Sequence, residues 1–166
     1  MTSPEIERLL TAHTLVALEA SDDEVAVIWR KALRAYQDSH LPGLSSPGAF
    51  NAAYEAALAA AATLVRDAGY TVKSPGGHHW ATFYAIQGLE SEELARFGTE
   101  LDGLRRKRHD NVYGTVEDTA LAERWRNQMH AVLDKFLPAA HARLIARRPR
   151  LRNVLQDPRE IHPKSQ

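Results

Sequence analysis

The sequence predicts an all-α fold, an antiparallel bundle of five to six helices around one core, and three observations carry that expectation. Apolar residues recur at steps of three and four through most of the chain, the period of a helix with one buried face. Helix-start signals precede these stretches: Ser3 with Pro4, Ser21 with Glu24, and Ser46 with Pro47. The alternation of a half-buried strand, an Asn-Gly hairpin signal and internal repeats are all missing.

Taken in order, Ser3 and Pro4 open a first helix whose inward face is Ile6, Leu9, Leu10 and Ala17. Ser21 and Glu24 have capping-box spacing, and Val25, Ile28, Trp29, Leu33 and Tyr36 follow as a second amphipathic helix, ended by the turn-rich connector HLPGLSSPG. Ser46 and Pro47 begin a third helix with Phe50, Ala53, Tyr54, Ala57, Leu58, Ala61, Leu64 and Val65 facing inward. Its alanines favour helix and permit close approach by a neighbour, and Gly69 suits the position just past its end. YTVKSPGG reads as a turn, and HHWATFYAIQGL as a short aromatic-rich helix from near His78 to near Gly88. Ser91 starts a fifth helix, ended by Gly114; Thr115 with Asp118 marks the next start. The sixth helix buries Leu121, Trp125, Met129, Val132, Phe136, Ala140 and Leu144, with a kink or break expected at Pro138.

Residues 1–148 thus form one helical domain, and 149–166 a polar, Pro-containing tail expected to be irregular. A chain of 166 residues is long enough to bury a core without disulfides, and it has no cysteine to make one. No apolar run could span a bilayer, and the acidic, amphipathic MTSPEIERLL does not read as a signal peptide, so a cytoplasmic protein with no membrane partner is expected. The net charge is zero but unevenly placed. Residues 1–100 carry 7 cationic against 13 acidic side chains, and residues 101–166 carry 14 against 8. A basic second half suits a polyanionic partner or, equally, attraction between the two halves of one fold.

Several chemistries can be weighed by spacing. No Glu has a His three residues later, as di-iron bundles require, and no two of the eight histidines stand four apart, as a zincin helix requires. No metal and no cofactor are therefore expected, although His78 or His79 with His130 or His141 would be the residues to assemble a distant site. There is no Walker A or GxGxxG sequence; SPGG before His78 offers free backbone N–H groups at a helix start, where an anion can sit or a tight turn can form. Arg143, Arg147, Arg148, Arg150 and Arg152 either track a phosphate backbone or form a solvated helix end.

The most informative stretch is LRRKRHDNVYG, Leu104–Gly114. Leu94, Phe97, Leu101 and Leu104 form one buried helical stripe, and the next position in its rhythm is Arg108. A guanidinium cannot be deprotonated and is costly to bury without partners. Arg105 lies one turn back on the same side. Two accounts fit: a structural ion pair with a neighbouring helix, or a paired-guanidinium phosphate site with His109 as a proton-exchanging neighbour.

A helical bundle carrying RxxRHxxxY from Arg105 to Tyr113, with GHH at Gly77–His79, resembles a HEPN domain over roughly Ser21–Leu144. The resemblance implies an all-α, homodimeric protein. Many such domains are metal-independent ribonucleases in which Arg and His motifs of two copies meet at a cleft, and several are toxins paired with a nucleotidyltransferase-type antitoxin or serve in phage defence. Carried over, Arg108 matches the motif arginine, His109 the polar residue after it, and Tyr113 the position held by histidine in active members. A phenol with a pKa near 10 is a poor general base at neutral pH. The implied function is RNA or nucleotide association through Arg105, Arg108, His109 and Tyr113, with His78 and His79 as further ligand-binding residues. Two alternatives stand beside it. One is a metal-independent ribonuclease using His109 or Tyr113 with Arg108; the other is a dimeric adaptor whose arginines are structural.

Overall fold

In the computed structural model the described residues are 2–73, 79–113 and 119–161, with the side chains of 111–113 left aside. Six α-helices lie among them: α1 (Pro4–Thr11), α2 (Asp22–Asp38), α3 (Ser46–Asp67), α4 (His79–Gln87), α5 (Glu92–Tyr113) and α6 (Thr119–Arg147). The all-α bundle expected from the periodicity is the architecture found. None of the described helices is long and apolar enough to cross a membrane.

The caps do much of what their residue types predict. Ser3 accepts from Ile6 N, Ser91 from Leu94 N, and Ser21 with Glu24 closes both bonds of a capping box, at 3.2 and 2.8 Å. The third helix is capped one residue earlier than its Ser-Pro signal suggests, by Ser45 on Gly48 N. Gly69 takes φ +89°, a conformation open to glycine without strain, and so ends α3 as expected.

Core packing centres on α3. Ala53, Ala56, Ala57, Ala60 and Ala61 are fully buried, letting α2 and α6 approach its backbone closely, with Trp29, Tyr54, Phe83 and Phe136 filling the space between helices. Gly98 of α5 serves the α4 contact in the same way. A Cβ there would lie 2.7 Å from the Phe83 carbonyl oxygen and 2.6 Å from Gln87 Cγ.

Three expectations need correction. Ala17 is not helical: α1 stops at Thr11, His13 turns the chain at φ 55°, and Leu15–Ala17 (β1) pairs antiparallel with Tyr70–Val72 (β2), Leu15 opposite Val72. Three-residue strands are too short to show alternation, so the small sheet left no periodic trace. Arg66, nearly buried, pins its end by donating to the Leu18, Glu19 and Tyr70 carbonyls and to Glu24. Second, of the kink or break expected at Pro138 the break does not occur: α6 continues across it as one helix, with Phe136, Leu137 and Ala140 fully buried around the proline. That packing outweighs one lost backbone bond. Third, residues 149–161 are folded onto the bundle through two short 3-10 turns, Pro149–Leu151 and Pro158–Glu160. Leu151 and Leu155 are buried, Trp29 Nε1 donates to Gln156 O at 3.0 Å, and His141 Nε2 lies 3.0 Å from Leu155 O while its ring stacks on Trp29.

The basic stretch at the end of α6 is absorbed by the fold. Buried Asp67 accepts from Arg147 Nε and Arg148 Nε, both at 2.6 Å, and Asp22 accepts from Arg148 and Arg150. These cations are therefore ion-paired across α2, α3 and α6, which favours attraction between the two halves of the chain over a free polycationic surface.

Candidate functional site

The stripe on α5 is as read: Leu94, Leu101 and Leu104 are buried to within 2 % and Phe97 to 9 %. Arg108 follows them one turn on, with its side chain 28 % exposed. Its guanidinium carbon sits 4.8 Å from the centre of the Tyr54 ring, a cation–π contact, and Nη2 donates to Glu55 Oε1 at 3.1 Å. Nε is buried and has no acceptor among the described residues. Since Nε and Nη2 form one edge of the planar group, Glu55 uses half of an edge built for two bonds.

Tyr54 is fully buried, its ring edge-on to Phe83, and its hydroxyl lies 2.9 Å from His79 Nδ1. Burial pushes the phenol well above its ordinary pKa despite the nearby Arg108 and Arg105, so it stays protonated. Burial also lowers the pKa of His79, and the positive charges of Arg108 and Arg105 act in the same direction against Glu55. The imidazole is thus neutral at neutral pH. The group joins the N-terminal half of α3, the first residue of α4 and the last turns of α5. One turn before Glu55 on α3, Asn51 Oδ1 is a second buried polar atom without a hydrogen-bond partner among the described residues.

The other expected residues are placed differently. Arg105 is held by Asp102, Nε to Oδ1 at 2.7 Å, within its own helix, although its charge reaches His79 and Tyr54. Arg106 is 77 % exposed and 4.0 Å from Asp102, and Lys107 donates to Gln128 of α6 at 2.6 Å. His109 is exposed, about 100° around the helix from Arg108, so it does not share the Tyr54 contact. Tyr113 is the last residue of α5, with its side chain outside the description, and His78 lies outside the described residues. His130 stacks on His40 at 4.2 Å and His141 on Trp29, so each sits at a contact of its own away from the Tyr54–His79 bond. Among the described residues no three His, Asp or Glu are grouped to hold a metal.

Tyr54 and Glu55 are the residues that motif reading passes over. Tyr54 reads as one more inward position of the alanine-rich helix, and Glu55 as an ordinary surface acid. Their sequence signal is slight: a phenol between alanines on an otherwise apolar stripe.

Comparison with family models, curated proteins and solved structures finds no match to this chain. The fold and the site together define an all-α bundle with a guanidinium, a phenol and a neutral imidazole in contact at one end.

Proposed function

We propose that the chain is a HEPN-like domain that binds an RNA strand or a nucleotide through phosphate contact at Arg108, as a homodimer and in a pairing with a nucleotidyltransferase-type antitoxin or within phage defence. One observation carries the binding part of this reading: among the described residues the buried Arg108 Nε–H has no acceptor, while the same edge of the guanidinium makes a single bond to the half-exposed Glu55. A buried donor left unmade costs roughly 1–3 kcal/mol. An oxyanion taking Nε and Nη2 together would satisfy it with two charge-assisted bonds. Tyr54 holds the guanidinium from one side, so the group is oriented before any ligand arrives.

A second reading, metal-independent RNA cleavage, is favoured by the neutral His79 imidazole beside that guanidinium. It transfers to His79 the proton-accepting role that the motif resemblance assigns to His109 or Tyr113.

Both readings are tested by measuring single-stranded RNA binding and cleavage in chelator, for the parent chain and Arg108→Lys. Lysine keeps the charge and loses the two-bond edge. The expected result is about tenfold weaker binding, equivalent to about 1.4 kcal/mol, with a melting temperature within a few degrees of the parent. RNA cleavage by the parent that is lost in His79→Gln supports the second reading. If the parent shows no salt-dependent RNA binding and Arg108→Ala only lowers stability, the arginines are structural and both RNA readings fail.

A further inference from the structure

At the other end of α3 a polar cleft of about 290 Å³ opens between the start of α1, the α4–α5 turn and α6. Thr2, Ser3, Gly88, Leu89, Glu90 and Arg143 line it, with Arg147, Ala68, Tyr70 and Ile6 completing the wall. The separation from the Arg108 group is set by α3 itself: Glu55 and Asp67 are twelve residues apart, about 18 Å along the helix.

Arg143 is the unusual residue. The neighbouring arginines are committed: Arg66 to Glu24 and three carbonyls, Arg147 to Asp67, Arg148 to Asp67 and Asp22, Arg150 to Asp22. Arg143 is half-buried in the same region and makes no hydrogen bond or ion pair among the described residues. Burial and then the like charge of Arg147 lower its pKa, while Asp67 and Glu90 act in the opposite direction without bonding it. A partly exposed guanidinium with no acceptor among the described residues leaves its donors to water or to a ligand that can take two of them at once.

The wall also states what charge the ligand carries. Arg147 is paired with Asp67, so among the described residues Glu90 is the carboxylate of the wall that no cation holds, and it faces Arg143 across the cleft. One negative charge is matched by Arg143; a second would meet repulsion from Glu90. That disfavours a phosphate dianion or a nucleic-acid backbone and favours a planar monoanion, which a guanidinium holds by two parallel bonds. Ser3, whose oxygen already accepts from Ile6 N, has its hydroxyl proton available as a donor, and Ile6 and Leu89 supply buried apolar surface for a short aliphatic body. Gly88 lets the wall close: a Cβ there would lie 2.2 Å from Ser3 Oγ.

We propose that this cleft binds a small-molecule monocarboxylate, anchored on the Arg143 guanidinium with Glu90 at the rim selecting against a second negative charge. The test is amide NMR of the full chain titrated with sodium acetate, with sodium chloride at matched ionic strength and with inorganic phosphate. Acetate is expected to give saturable shifts at Ser3, Gly88, Leu89 and Glu90, and about tenfold weaker binding in Arg143→Gln. Because Arg143 has no partner to lose, the variant is expected to melt at or above the parent temperature, so lost binding is not lost folding. Glu90→Gln supplies a gain: phosphate should bind several-fold tighter than to the parent. Shifts that chloride reproduces or Arg143→Gln retains, phosphate preferred by the parent, or phosphate affinity unchanged in Glu90→Gln would each overturn the assignment. These results leave the Arg108 reading untouched, since its ligand and its end of α3 are different.

Discussion

Replacing Glu55 by Gln separates a structural arginine from a ligand-binding one, because the two accounts of Arg108 demand opposite responses. Glutamine keeps an oxygen that can accept from Nη2 and removes only the charge. Glu55 is 50 % exposed and Arg108 28 %, so their attraction is largely screened and contributes at most about 1 kcal/mol. Losing it should lower the melting temperature by about 2–4 °C for a chain of this size. In the RNA-bound state the same carboxylate is a competitor. It occupies Nη2 and repels a phosphate arriving at that edge, by about 1 kcal/mol for unit charges a few ångströms apart in a solvent-like dielectric. Its removal should therefore tighten RNA binding about fivefold and steepen the salt dependence by up to about 0.7 in the log–log slope, one phosphate contact on a single strand. Fluorescence anisotropy with a labelled single-stranded RNA over a salt series reads both quantities, and thermal melting reads the first. A variant that melts lower and binds RNA no better than the parent would refute the claim that Glu55 holds a place a phosphate takes.

Two further predictions concern packing and charge. Gly98→Ala and Gly103→Ala make the same change in α5 with opposite expected signs: at Gly98 a Cβ meets the Phe83 backbone at 2.7 Å, whereas at Gly103 it meets nothing within 4 Å. Denaturant unfolding should show a loss of about 1–3 kcal/mol for the first and a gain of about 0.5–1 kcal/mol for the second; two gains would mean α5 does not lie on α4 as described. The second rests on Asp22, whose pKa is held down to about 2 by hydrogen bonds from Arg150 and then Arg148. A carboxyl depressed below its unfolded value stabilises the fold above pH 4, and that contribution fades as pH falls from about 4 to 2. Acid titration of stability should therefore be less steep in that window for Asp22→Asn than for the parent, and equal slopes would show the bridges to Arg148 and Arg150 do not form in solution.

Helix number, most helix starts and the buried stripes were legible in the sequence because they are local. A capping box spans four residues, and the step of three and four from Leu94 to Leu104 needs only one helix to express itself. Arg108 was legible for the same reason, as a charge breaking a local rhythm. What it faces was not. Tyr54, Glu55 and His79 lie on two other helices, and no spacing within either of those segments points to α5. His109 looked equally suited from its type, yet one residue of helix rotation sets it outside on the exposed surface.

The tail and the arginines of α6 show the same division from the other side. Their composition reads as polar and solvated, and nothing in residues 143–161 reveals that the Gln156 and Leu155 carbonyls find Trp29 and His141, or that Arg147 and Arg148 close on Asp67. The sequence by itself determined which segments are helical and which faces seek burial, since period and caps act over one or two turns. Tertiary structure alone decided which charges are answered and which are left open, because an ion pair depends on the distance between groups that folding brings together. Only once Asp67 and Asp22 are placed with their partners do Arg143 and the Nε edge of Arg108 stand out, among the described residues, as guanidinium donors without an acceptor.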